Sequence, residues 1–368
     1  MSRHGLQPLD PDLIEAWDAL ALAVGAPVFA RPGWLTAWGG AFGRTAALRA
    51  LTVHRGGALV GVLPVTTGPL ALHTPVNSET AMIAPVAADE EAAGELAERL
   101  LARRTGHVDL DAVLAEDPVT SAVRAAAGRD GVPVLEATRC SSPYVETGGD
   151  AADFPKRLSK NRRHGLKRLQ KRLAEAGEVV FEVAEGRDGD LAGRLREGLR
   201  LEAREWKLSA GSAILSSPAR VAFYTAGARW AAEAGVLRLA FLRLDGRAIA
   251  FGYCLQQGRL LHFLKLGMDD EHAKLGPGMM ITKHLIDYAF AQPEVTELDL
   301  LGENESYKAD LASGVREQVR LRVYSTPGVG GVQRAATSAA SDLRAAAVAR
   351  LSGPTRERLL AIHNRLQR

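Results

Sequence analysis

Residues 258–308 read GRLLHFLKLGMDDEHAKLGPGMMITKHLIDYAFAQPEVTELDLLGENESYK, and the fold is decided there. Leu260–Leu266 is apolar almost throughout, the pattern of a strand buried on both faces. Charge, Gly and Pro crowd residues 267–278, which predicts a loop. Directly after Gly276-Pro277-Gly278, the stretch Met279–Ala291 sets Met280, His284 and Tyr288 at helical spacing and stops before Pro293. Val295–Leu301 then returns as a strand, and a further helix opens near Tyr307 and Lys308. A strand, a glycine-rich turn and a helix N-terminus make a ready anion site, because bare amide N–H groups and the helix dipole converge on one spot. The same letters also serve a purely structural cap.

Two familiar anion loops are excluded. A Walker loop needs GxxxxGK[ST], which does not occur, and a dinucleotide GxGxxG fails because Met-Met-Ile follows Gly278. The stretch resembles the pyrophosphate loop of the GNAT acyltransferases, Q/R-x-x-G-x-G/A, as Ala273-Lys-Leu-Gly276-Pro-Gly278. Ala273 departs from the family at the first position, which leaves a backbone amide cradle intact. Glu202-Ala-Arg-Glu-Trp206-Lys207, Gly211, Ile214, Phe223-Tyr224, Lys265-x-x-Met268-Asp269, Pro277-Gly278, Asp299 and Tyr307-Lys308 follow in one order. In that order the chain resembles the CelD/BcsL-like acetyltransferases, a FemAB-like branch of the GNAT superfamily. The resemblance spans most of residues 28–324 and is most specific over 200–310.

That resemblance implies an α/β (α+β) fold of two tandem GNAT-like domains, with mixed sheets flanked by helices and a C-terminal helical tail. It implies acetyl-CoA or another acyl-CoA as co-substrate, met by Leu266, Gly267, Met268, Lys274, Leu275, Gly276, Gly278 and Met279. Tyr307 takes the place of the acid that protonates the leaving thiolate, and Lys308 the place of a lysine facing the reacting carbonyl. Asp299, Asp269, Glu202 and Glu303 are candidates for the base, and a water relay would need none of them directly. Acceptor contacts are expected at Glu202, Trp206, Lys207, Lys265 and Asn77.

Composition agrees with a globular chain of two or three domains: 368 residues, 46% hydrophobic and 24% charged. The two cysteines, Cys140 and Cys254, lie in contexts without ligand-like spacing, so neither a metal centre nor a disulfide framework is expected, and a reducing cytoplasm fits. No secretory signal is visible, and no apolar run approaches the ~20 residues of a membrane helix. The nine lysines all lie after residue 155, and arginine supplies the rest of the 46 basic residues. A retained lysine therefore hints that a compact ammonium matters there.

Residues 1–150 read as a first α/β unit. Asp12–Val24 is an amphipathic helix, and Leu48–His54 and Ala58–Val65 form a hairpin through Gly56-Gly57. Ala88–Arg104 and Pro118–Gly128 are helices around the strand Val108–Val113. No glycine-rich phosphate loop follows these strands, so this half reads as a degenerate copy that shapes the acceptor groove, with Trp34, Trp38, Asn77 and Thr80 facing the cleft. The junction falls near Thr147-Gly-Gly-Asp150. Phe154–Ala174 is then one basic helix, with its cations between Lys156 and Arg172 and no carboxylate from 154 to 174. Its leucines share a face, and its cationic back is a solvated surface or a contact for a nucleotide phosphate, a tRNA or another polyanion. Residues 151–325 form the second, catalytic unit, and 326–368 an Ala- and Arg-rich helical tail of packing or oligomer surface.

The function expected from all this is an N-acyltransferase moving an acetyl or acyl group from CoA to an amine, as in an amino sugar or cell-envelope precursor. The alternatives are a FemAB-like aminoacyl-tRNA-dependent transferase and a non-catalytic polyanion binder on the same fold. Ser-His-Asp hydrolysis finds no GxSxG elbow.

Overall fold

A computed structural model describes residues 6–68, 70–102, 106–187, 189–204, 213–324 and 331–332. Thirteen strands form one mixed sheet. In chain order they are β1 (Leu6–Gln7), β2 (Leu48–Arg55), β3 (Ala58–Thr67), β4 (Ala71–His73), β5 (Val86–Ala87), β6 (His107–Leu114) and β7 (Val134–Glu146). The second set is β8 (Val179–Ala184), β9 (Leu237–Leu244), β10 (Arg247–Gln257), β11 (Leu260–Met268), β12 (Glu297–Asp299) and β13 (Gly314–Tyr324). The helices are α1 (Pro11–Ala23), α2 (Pro32–Ala41), α3 (Glu90–Leu101), α4 (Pro118–Arg129), α5 (Phe154–Arg157), α6 (Lys160–Ala176), α7 (Leu191–Glu202), α8 (Pro218–Glu233), α9 (Pro277–Ala291) and α10 (Ser306–Ala309).

The strand order is β1-β2-β3-β4-β6-β13-β7-β12-β11-β10-β9-β8, with β5 on β3. It reads alike from both ends. Its two parallel pairs, β4 with β6 and β11 with β12, stand at matching places on either side of the central β13–β7 pair. The last strand of each half has crossed into the other: β13 lies between β6 and β7, and β7 between β13 and β12. This exchange makes one continuous sheet of the two copies.

Apolar patterning sets the layers. One core joins α1, α2, α7 and α8 to residues of β2, β3, β9 and β10, so it spans both halves. A second lies under α6 and α9, and a third under α3 and α4. Helix starts follow the capping residues: Asp10, Asp89, Asp117, Ser159, Asp190 and Ser217 each accept a backbone N–H of the first turn, worth about 1 kcal/mol apiece. Ser159 also explains a helix that differs from expectation. The stretch expected as a continuous Phe154–Ala174 helix breaks at Leu158, which is extended (ψ 147°), and Ser159 restarts it as α6 by accepting from Arg162 N–H at 3.1 Å. Both Gly56 and Gly57 adopt positive φ in the β2–β3 turn, as a two-residue hairpin loop demands. Among the described residues no helix is long and apolar enough to cross a membrane.

Candidate functional site

The site opens where β11 and β12 part. They pair only from Leu260–Glu297 to His262–Asp299, after which β12 ends and β11 runs on to Met268. Beyond His262, the edge of β11 that faced β12 has no strand beside it among the described residues, and its backbone borders the gap. Leu264 is an extra residue in the β10–β11 ladder, since Tyr253 pairs with Lys265 and Cys254 with Phe263. Such a bulge re-aims the backbone next to it. The gap is a cleft of ≈ 150 Å³ lined by Phe263, Leu264, Leu266, Thr282, Leu300, Leu301, Gly302, Tyr307 and Lys308.

At one side stands the N-terminus of α9. Gly276 is its N-cap, left-handed at φ 62°, and a Cβ there would lie 2.9 Å from Leu169 of α6. Pro277 has no N–H, and the first intrahelical bond is Met280 N–H to Gly276 C=O at 3.0 Å. The amides of Gly278 and Met279 therefore precede the helical ladder and are available to an anion. A Cβ on Gly278 would touch Met268 Sδ and Leu266 Cδ2 at 3.2 and 3.3 Å, so the turn sits tightly on the end of β11. Leu275 is half-buried, and Lys274 is exposed before the turn.

Lys308 and Tyr307 meet the cleft from α10. Lys308 Nζ donates to Leu301 C=O at 2.8 Å and reaches Glu303 C=O at 3.5 Å, with Glu305 at 4.0 Å. Burial holds its ammonium below the ordinary lysine range, against the opposing pull of Glu305 and Asp299. Burial and the neighbouring Glu305 push the Tyr307 phenol above its usual range, so it keeps its proton. Leu301 itself is left-handed at φ 48°, a costly conformation for a leucine. Asp299 holds it there. One carboxylate oxygen accepts Leu301 N–H at 2.8 Å and Ser142 Oγ–H at 2.9 Å, while Arg316 lies 3.4 Å from the other. Asp299 thus fixes the carbonyl that anchors Lys308.

The other expected groups are placed as follows. Asp269 is fully buried and bound by Arg247 at 2.8 Å, Arg204 at 3.2 Å and His272 at 3.2 Å, which locks the loop after β11. Glu202 is buried, with one oxygen accepting Ile214 N–H at 2.8 Å. Gly267 faces the backbone of Glu202 rather than open space. Glu303 is exposed, and Trp206 and Lys207 lie outside the described residues. Asn77 caps its own turn, its Oδ1 accepting Glu79 N–H at 2.9 Å. Lys265 donates to Glu79 at 3.0 Å, and Arg220 and Tyr224 reach the same carboxylate at 2.9 Å each. Sequence reasoning missed this cross-half cluster, because Glu79 and Tyr224 stand 145 positions apart. It also missed Ser142 and Arg316, which strand exchange brings beneath Asp299. Two triads with metal-ligand spacing occur, His73-His107-Asp109 and Asp269-Glu271-His272. In both, arginines already occupy the central aspartate.

Comparisons with known proteins bear on the fold as a whole. Residues 160–309 match the acetyltransferase (GNAT) domain family. The fold is a GNAT fold. FemX superposes with a TM-score of 0.58 at 11% identity, over 86% of this chain and 96% of that one. L-PGS from Bacillus licheniformis gives 0.54 at 12% identity, over 88% and 94%. The C-terminal (DUF2156) domain of a protein described as a lysylphosphatidylglycerol synthetase from Agrobacterium fabrum gives 0.54 at 12%, over 89% and 95%. No curated protein matches the chain by sequence. The matched stretch contains β11, β12 and the N-terminus of α9.

Proposed function

We propose that this GNAT-fold protein is an acyl-CoA-dependent N-acyltransferase of the CelD/BcsL-like type, with an amine of a small molecule or glycan precursor as acceptor. The observation that carries the reading is the convergence of the Lys308 ammonium and the Tyr307 phenol on the cleft where β11 loses its strand partner. Acyl transfer forms a C–N bond and breaks a C–S bond; the amine loses a proton and the thiolate gains one. The backbone of β11 beside the gap suits polarisation of the thioester carbonyl, and a fixed ammonium offsets the charge that grows on its oxygen. Tyr307, held protonated by burial, suits protonation of the leaving thiolate. Asp269 and Asp299 are engaged by arginine and Glu202 by backbone, so the amine proton leaves through water or the exposed Glu303. The half before residue 150 carries no second amide cradle of this kind in its sequence and forms the acceptor wall.

Gly278→Val tests the donor site. Its side chain would stand against Met268 and Leu266 at the mouth of the free amides. Calorimetry with CoA is expected to show at least a tenfold loss of affinity in a protein that remains folded by circular dichroism. Unchanged affinity would remove the pyrophosphate from these amides.

A second reading, an aminoacyl-tRNA donor as in FemAB-like enzymes, is favoured by α6. This helix lays Leu169 on Gly276 and ties Arg162 to Asp310, so it borders the donor turn. Lys160, Arg163, Lys167, Arg168 and Arg172 have no ion-pair partner among the described residues. A phosphate polymer held there would bind with an affinity that falls steeply with salt, and replacing Arg163, Lys167 and Arg168 by glutamine would flatten that slope by about 0.7–0.9 for each phosphate no longer neutralised. Titration of tRNA from 50 to 200 mM salt reads this directly. Absence of binding at the lower salt leaves CoA as donor and α6 as a solvated face.

A further inference from the structure

On the face of the sheet turned away from α3 and α4, the helices α1, α2, α7 and α8 cover the outer strands β2, β3, β9 and β10. The central strands carry charge on that face instead. Val319, Leu321 and Val323 of β13 and Val108 and Leu110 of β6 belong to the α3–α4 core, so the alternate residues Arg320, Arg322 and Asp109 lie on the other side. Arg322 pairs with Asp109 in the β13–β6 ladder, and Asp109 with His73 of β4, which sets the three in one row. Arg139 joins them from β7, bound to Asp111 of β6 at 2.7 Å.

Cations outnumber carboxylates in this cluster. Arg320 and Arg322 both bind the one Asp109 carboxylate, at 2.5 and 2.6 Å, and no other ion pair engages either among the described residues. Asp109 is buried, yet the Arg320 side chain is 47% exposed and that of His73 42%, so the excess charge faces solvent. Arg320 spends Nε and Nη2 on Asp109, which leaves Nη1 for another acceptor. A second observation marks the same face. Gln318, two positions before Arg320, is 1% exposed, and neither atom of its amide has a partner among the described residues, as where a polar site is unfilled. Strand β7 relates the cluster to the chemistry. Ser142, which binds Asp299 beneath the Lys308 anchor, lies roughly 10 Å along the strand from Arg139, and Arg322 stands opposite Leu135, roughly 20 Å from Ser142.

We propose that this cluster is an anion subsite of the acceptor, where a phosphate carried roughly 10–20 Å from the reacting amine lies on Arg320, Arg322 and Arg139. The inference rests on the acyltransferase reading and narrows its acceptor to an extended, phosphorylated amine. A carboxylate has two oxygens and is satisfied by one guanidinium fork. A phosphate presents more, directed tetrahedrally, and suits several guanidiniums reaching it from different strands.

Pyrophosphate is the probe, titrated by calorimetry at low salt into a full-length Gly278→Val chain, so that the α9 turn does not take it. Adding Arg320→Lys with Arg322→Lys is expected to weaken binding about tenfold, because lysine keeps the charges that buried Asp109 needs but lacks the planar fork. Arg124→Lys, on the α4 side of the sheet, is the control and should leave affinity within about twofold. Asp109→Asn acts in the opposite sense: it frees both guanidiniums and should tighten binding about threefold or more, a gain that a purely structural cluster would not give. No pyrophosphate binding would overturn the proposal, as would binding that neither the lysine pair nor Asp109→Asn alters. Equal affinity for malonate would overturn the assignment to phosphate. CoA affinity of the lysine pair in the Gly278 chain is expected to stay within about twofold of the wild type. A tenfold loss there would give these arginines to the donor and overturn the proposal as well. No arm depends on turnover, and CoA binding to the unsubstituted chain tests the acyltransferase reading separately.

Discussion

Lys308→Ala lowers kcat by roughly 10²–10³, the loss seen when one donor to a developing oxyanion is removed, while calorimetric CoA affinity stays within about twofold. The split follows from where the ammonium sits. Lys308 lines the β11–β12 cleft, held by Leu301 C=O, and lies away from the α9 amides that would take the pyrophosphate. An interaction made mainly in the transition state is read in kcat and not in ground-state binding. Lys308→Arg restores little, because a planar guanidinium cannot occupy the point an ammonium holds between Leu301 and Glu303 carbonyls. The pH profile carries the sign. Burial lowers the pKa of Lys308, and the charged form is the active one, so activity is retained below that lowered value and lost as pH rises through it. The alkaline limb of kcat should therefore fall at a pH below the ordinary lysine range, and Lys308→Arg should lack it. Tyr307→Phe costs less, since solvent can protonate a good leaving group. Near-native turnover in Lys308→Ala would move the chemistry elsewhere in the cleft.

The turn proposed to take the donor was legible in the letters because it is local. Strand, Gly-Pro-Gly and helix lie within 32 consecutive residues, from Leu260 to Ala291, and backbone geometry alone makes the cradle. The strand after α9 was also readable, though it is shorter than its apolar run because Asp299 turns inward to hold Leu301. What was illegible is long-range. The exchange of β7 and β13 leaves no local signature, since either strand keeps its alternation whichever neighbour it has. Yet it is this exchange that sets Ser142 and Arg316 beneath Asp299 and so supports the Lys308 anchor.

The carboxylates show the same limit from another side. Asp299, Asp269, Glu202 and Glu303 were equivalent as letters. Burial separates them: three are locked by arginine or backbone donors, and Glu303 alone faces solvent. A buried carboxylate held by two arginines is a poor base, because removing its charge would leave those cations uncompensated. Glu79 makes the point for a residue that the sequence did not single out for chemistry. Lys265 and Arg220 outweigh the cost of its burial and hold its carboxyl below the usual range. Its turn is locked by Asn77, so the loop 74–80 braces one half of the sheet against the other.

The second large effect is structural, and it lies one residue from the cleft. Gly267 is expected at the donor site from its place in the β11 stretch, but its missing side chain serves packing. A Cβ there would stand 2.5 Å from Glu202 N and 2.8 Å from both Glu202 Cα and Leu201 C. These are backbone atoms in the last turn of α7, so no flexible side chain can swing aside. β11 is held beside β10, where Phe251 pairs with Gly267 and sets its ring against Gly198 of the same α7. Gly267→Ala must therefore push α7 off the sheet, an overpacking cost at the upper end of the usual range, about 3 kcal/mol. For a chain of 368 residues that lowers Tm by roughly 4 °C. Glu202 would move with the helix and carry the backbone at Ile214 with it, so acceptor KM should rise as well. Gly165→Ala is the control: it sits on the exposed side of α6 with nothing within 4 Å of a built Cβ. That substitution should stabilise by about 0.4–1 kcal/mol, through a less flexible unfolded chain. Thermal melts of both variants decide the matter, and a Gly267→Ala protein melting with the wild type would show that α7 and β11 are not in contact as described.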